Sequence, residues 1–214
     1  MTNRAQARRA ESAAVPAIAL VLIANFIPLY SVLADDWPVV YVVMLFWFDV
    51  LLMVAFTAVK ILIVPLAGYR RSAIVVLKIG YAGATLVFYG GLALAYGIFL
   101  AFLFGGAVTP RGIVASPDVP LEVMANMLGE PAAFWSALAI LGIHLHSLVV
   151  DFIARGAWRT AHPEKLFDMP LRHIVVLHVG IVLGGGALSL LATPLIAATV
   201  LLAGKTVSDL RALA

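Results

Sequence analysis

Cysteine is absent from all 214 residues, which excludes disulfides, iron–sulfur clusters and thiolate zinc sites. Charge is nearly as scarce. Only 12% of the residues are Asp, Glu, Lys or Arg, against 64% hydrophobic, and the mean hydropathy is +1.08. Ordinary globular domains carry about 25% charged and about 45–50% apolar residues. Too few charges remain here to coat a water-facing surface, so a cytosolic enzyme and a nucleic-acid-binding module are both excluded. The pI near 9.4 does not restore the nucleic-acid reading, because the excess is only 14 basic over 11 acidic residues. The partner implied is the lipid bilayer, and the length suits a single membrane-embedded domain over 1–214.

What the chain has in abundance is long apolar runs. A helix needs about 20 apolar residues to cross the hydrocarbon core. Six segments meet that length, at about 13–34, 38–66, 72–104, 132–154, 170–187 and 192–210. The expected fold is therefore all-α, a polytopic bundle. The fifth and sixth runs are separated only by the Gly184-Gly185-Gly186 and Thr193-Pro194 region. The opening run exceeds the 7–15 residues usual for a signal peptide and reads as a retained span. The connection from Gly105 to Pro131, rich in Pro and Gly, is expected to lack regular structure.

Basic residues orient these spans. Arg4, Arg8 and Arg9 precede the first. Lys60, Arg70, Arg71 and Lys78 surround the second connection, and Arg155, Arg159, Lys165 and Arg172 the fourth. Lys205 and Arg211 close the last span. With six spans all of these fall on one side. The other side holds Arg111 beside Asp35, Asp36, Asp118, Glu122 and Glu130. Lys/Arg excess marks the cytoplasmic face, so both termini are expected inside, in a cytoplasmic (inner) membrane of bacterial type.

Polar groups within the spans carry the chemistry, since a charge at the helix centre costs roughly 2.5–3.5 kcal/mol on insertion scales. Asp49 lies eleven residues past Pro38, about 16 Å deep and close to the midplane. Lys60 returns to within about 20° of the same helical face, with Thr57 nearby. Lys60 is expected to snorkel to the interface. Asp49 cannot, and the plain alternative to function is a protonated acid hydrogen-bonded to a neighbouring helix. In the fourth span His144, Ser147 and Asp151 share one face at i, i+3 and i+7. His146 points roughly 200° from His144 on a regular helix, so this pair cannot chelate one ion. His178 is about 10 Å deep in the fifth span, whereas His173 is expected at the interface. Tyr89 and Tyr96 stand on one face of the third span, available as donors to Asp49 or His144, or simply packed as aromatics. Asp49, His144, Asp151 and His178 are thus expected to converge with one of these tyrosines. Tyr89, Tyr96, Ser147 and Lys60 are the supporting or relay groups.

The stretches FWFDVLLMVAFTAVKI, HSLVVDFIARGAW with the preceding His144, RHIVVLHVGIVLGG and KTVSDLRA together resemble a domain-of-unknown-function family of small polytopic membrane proteins of bacteria and archaea. The resemblance covers most of the chain from Tyr41 onward. It implies a polytopic helical fold and supplies no activity. In that family the acidic position is usually Glu where this chain has Asp49, and asparagines are usual near Val50, Thr57 and Asp151. Two histidines of the third span are replaced by Tyr89 and Tyr96. Loss of those imidazoles changes or weakens any metal site the family would build.

Three functions fit these residues. His144, His178, Asp49 and Asp151 suit zinc, iron or manganese as ligands, and paired histidines on adjacent helices could instead hold haem. The same groups could relay protons or hold a transported ion, with Lys60 and Asp151 at the inner mouth. A structural or assembly subunit would use them only to lock helices together. The metal reading is the leading expectation, catalysis is left open, and small residues on short spans leave room for a homo-oligomer.

Overall fold

The computed structural model describes residues 2–35, 37–66, 70–105, 108–109, 112–113, 119–171, 174–175, 178–179, 199 and 202–206. Helix α1 spans Thr2–Ala34, α2 Val39–Ile63, α3 Arg71–Ala84 and α4 Gly91–Gly105. The last two are joined without a break by a π-helical turn at Thr85–Gly90. Helix α5 covers Val119–Gly129 and α6 Pro131–His146, which runs on as a π-helix over Ser147–Ala154. A 3-10 turn (Ala157–Arg159) and the short α7 (Pro163–Phe167) follow. Among the described residues, four helical stretches are long and apolar enough to cross a membrane: Val15–Ala34, Val40–Ile63, Ser72–Ile98 and Pro131–Ala154. Each lies within one of the first four expected spans. The fifth and sixth fall largely outside the described residues, although 169–171, 174–175, 178–179 and 202–206 are helical.

Helix α2 is the hub, in contact with α3, α4, α6 and α7. Its sequence explains why. Val42, Val43, Met44 and Leu45 are consecutive, apolar and all essentially inaccessible, and a helix apolar on every side belongs in the middle of a bundle. Lipid tails are as apolar as leucine, so helix association here rests on close packing and polar pairs rather than on the hydrophobic effect. The α1–α6 contact shows the packing half of this. Ala17, Val21 and Ala24 of α1 are buried, and a Cβ placed on Gly142 of α6 would stand 3.2 Å from Leu20. Small residues let these two helices approach.

The outward surface is apolar as well. Phe26 of α1, Val76 of α3, Val87 of the first π turn and Trp135 of α6 are all more than half exposed. Large apolar side chains distributed around the outside of a bundle are stable against lipid tails and costly against water.

The connection from Gly105 to Pro131 departs from expectation. It contains a two-stranded antiparallel hairpin, Val108–Thr109 with Gly112–Ile113, and the eleven-residue α5. Val123 and Met127, four residues apart, are buried in the central core while Ala125 and Asn126 between them are exposed. That is one face of an amphipathic helix, a period concealed by the Pro-rich residues before it.

The π-helix over Ser147–Ala154 is capped by Arg155, and the next residue, Gly156, takes a left-handed φ of +79°. A side chain there costs roughly 1–2 kcal/mol. Gly156→Ala is accordingly expected to lower stability by about 1 kcal/mol, read as a shift in the unfolding midpoint in detergent micelles.

Candidate functional site

Asp49 is the centre of the site. Nε2 of His144 donates to its Oδ1 at 2.7 Å, and Nζ of Lys205 donates to its Oδ2 at 2.6 Å. All three side chains are less than one-fifth exposed. The imidazole is held from the other side by the ring of Phe56, stacked at 5.7 Å with planes 24° apart. The ammonium also lies over Phe46, 5.7 Å from the ring centre. Each carboxylate oxygen thus has its own donor, which is what a buried carboxylate requires.

A cavity of about 170 Å³ opens beside this triad. Helix α2 contributes Asp49, Met53, Phe56, Thr57 and Lys60 to its wall, the i, i+4, i+7, i+8, i+11 series of one helical face. Helix α6 and its π continuation contribute His144, His146, Ser147 and Asp151. Among the described residues, α1 adds Ala17 and Val21, with Ile143, Met169 and Lys205 completing the wall. The wall is more apolar than polar, but these charged and hydroxyl groups face it, and the space holds room for several waters.

The far end of the cavity carries a second set of pairs. Lys60 donates to Ser147 Oγ at 2.9 Å and lies over Phe152, 5.7 Å from the ring centre. It therefore turns inward across the helix interface, where the sequence suggested snorkelling outward. A half-buried hydroxyl and an aromatic face both reward the ammonium at that level. Asp151 accepts from Arg155 at 2.7 Å, and its Oδ2 lies 3.7 Å from Nδ1 of His146.

That last approach depends on the π-helix. On an α-helix residues five apart point about 140° away from each other. In the π-helix the backbone closes from i to i+5, as Arg155 N to Val150 O does at 2.9 Å, and His146 comes over Asp151. His144 and His146, both on α6, line the same cavity. Nothing in the composition of this stretch announces the extra residue per turn.

Other expected members go elsewhere. Tyr89 is buried, but its ring packs on Phe88 at 5.0 Å and on Phe167 of α7 at 5.1 Å, not on Asp49. The short α7 folds back against the third span and takes up that phenol. The Tyr96 hydroxyl lies 3.2 Å from Nδ1 of His178. His178 is exposed and does not line the cavity, so it does not join His144 across a shared ligand, as haem ligation would need. His173 lies outside the described residues. Among the described residues, no group of three or more His, Cys, Asp or Glu side chains is arranged to hold a metal ion.

Lys205 is the residue that sequence reading missed as a site member, grouping it with the basic residues at the end of the last span. A depth count would have found it. On the expected six-span arrangement, Lys205 stands eleven residues past Pro194 and Asp49 eleven past Pro38, which would put both at one depth.

An apolar-surfaced helical bundle, with four helices of membrane-crossing length and a charged cluster in its interior, is the architecture of a polytopic membrane protein. The chain matches the family of unknown function DUF6498 over residues 7–214, and it belongs to that family. No curated protein and no solved structure matches it.

Proposed function

We propose that this protein translocates protons or a small ion across a bacterial-type cytoplasmic membrane. In this reading it has six spans, both termini face the cytoplasm, and Asp49, His144 and Lys205 form the translocation centre. The observation that carries it is the ammonium of Lys205 on Oδ2 of Asp49 at 2.6 Å. A carboxylate paired with an imidazole and an ammonium is arranged to exchange a proton or a counter-ion. A divalent or ferric metal would need a second and third anionic or imidazole ligand, and Asp151 is turned toward Arg155 and His146 instead. From the triad the cavity leads past Ser147 and Lys60 to Asp151, whose side chain is one-third exposed. In this reading these side chains form the path between the buried triad and the cytoplasmic side. Chains of His and Asp inside spans are characteristic of ion and proton pathways.

The test uses the full chain in proteoliposomes that carry an imposed pH gradient and an internal pH-sensitive dye. The medium is sodium and potassium gluconate, with thiocyanate as permeant counter-ion. Wild-type protein should collapse the gradient several-fold faster than empty liposomes, and Asp49→Asn should not. A wild-type rate equal to that of empty liposomes would overturn the proposal.

The orientation has its own check. Cysteines introduced at Ser116 and Thr160 should label from opposite faces of intact spheroplasts, Ser116 from outside. Labelling of both from one face would remove the six-span arrangement.

A further inference from the structure

We infer that Asp49 is an exchange site for a monovalent alkali cation, with Lys205 as the resident cation that the incoming ion displaces as one proton leaves. The inference rests on the translocation reading above and names its substrate class.

The asymmetry of the carboxylate is the starting point. Oδ1 is fixed by His144, whose ring is stacked on Phe56, so Asp49 keeps its position when Oδ2 changes partner. Oδ2 is held by a lysine, a point charge on a flexible four-carbon stem that gives up its proton more readily than arginine. The cavity beside Asp49, about 170 Å³ in volume, accommodates waters along with an ion, and those waters would complete its coordination shell. Carboxylate and water oxygens are the ligands of hard cations.

Charge selects valence. When M⁺ binds Oδ2, the Lys205 ammonium loses its counter-ion and releases its proton to cavity water, becoming a neutral amine. One positive charge enters the site and one leaves, and no bond other than N–H breaks. A divalent ion would leave an extra positive charge uncompensated in a low-dielectric interior. The other charged groups on the cavity wall do not offset it: Lys60 of α2 adds a further positive charge, and Asp151 is engaged by Arg155 and His146. Among the described residues, α1 brings no titratable group to the wall.

The site is also closed on one side. Beyond Asp49, toward the start of α2, Val42, Val43, Met44 and Leu45 are apolar and essentially inaccessible. A polar path that stops at a buried carboxylate suits a carrier, which opens its site to one face at a time, and does not suit a continuous pore.

The test compares sodium, potassium and choline gluconate in the same proteoliposomes, with thiocyanate in each, and follows internal pH together with uptake of radioactive sodium. Wild-type protein should move protons with sodium or potassium outside and not with choline. Lys205→Gln should still take up sodium, with an apparent affinity raised roughly ten-fold because the site is no longer self-occupied, while the coupled pH change is lost. A purely structural lysine would instead lower both readouts together. Equal proton movement in choline and alkali media would overturn the exchange and leave translocation standing, whereas no movement in any medium would overturn both. A Lys205→Gln protein whose sodium affinity and coupled pH change match the wild type would overturn the role of Lys205.

Discussion

Asp49→Asn is expected to lower the stability of the folded bundle by about 3 kcal/mol, since removing one partner of a buried ion pair typically costs about 3–5 kcal/mol. The amide still accepts one hydrogen bond, but it no longer carries the charge that compensates Lys205, 2.6 Å away. His144 loses its charged acceptor at the same time. The loss should appear as a lower midpoint in detergent unfolding. Most of it should return in the double variant Asp49→Asn, Lys205→Met, because neutralising both members of a buried pair removes the unpaired charge. Strict additivity of the two single changes would show that the pair does not interact, against the geometry described above. This measurement is separate from transport: the double variant should be stable and inactive.

Gly97→Ala should have the second largest effect, about 1–3 kcal/mol, the usual range for overpacking a filled interior. A Cβ at Gly97 collides with the indole of Trp47, touching Nε1, Cε2 and Cζ2. The ring cannot retreat cheaply, because its Nε1–H donates to the carbonyl of Ala93 at 2.6 Å and Trp47 is 8% exposed. Moving it would break a buried hydrogen bond in the contact between α2 and α4. The smaller ring in Trp47→Phe, Gly97→Ala should recover part of the loss. If Gly97→Ala melts with the wild type, the close α2–α4 approach drawn here is wrong. The contact lies within two turns of Asp49, so its loosening should also slow the pH-gradient collapse.

Much of the site was legible before any coordinates. Depth arithmetic placed Asp49 and His144 at one level, and they are hydrogen-bonded. Helical periodicity put Asp49, Thr57 and Lys60 on one face and His144, Ser147 and Asp151 on another, and both faces line one cavity. These deductions held because a membrane-spanning helix satisfies its own backbone, so period and rise alone place its side chains. One pairing lay outside that rule: the π-helix after His146 brings Asp151, five residues on, beside its imidazole.

The sequence by itself determined that the chain is helical and apolar-surfaced, and that its few interior charges had to be compensated within the bundle, since lipid offers them no partner. Which partner each charge took was decided only by tertiary packing. Lys205 rather than a tyrosine completes Asp49, Tyr89 is taken up by Phe167 of α7, and Tyr96 turns to His178. The reason is physical. Period and depth fix where a side chain stands along and around its own helix, whereas the neighbour it meets depends on which helices lie adjacent, and interhelix packing chooses that from shape.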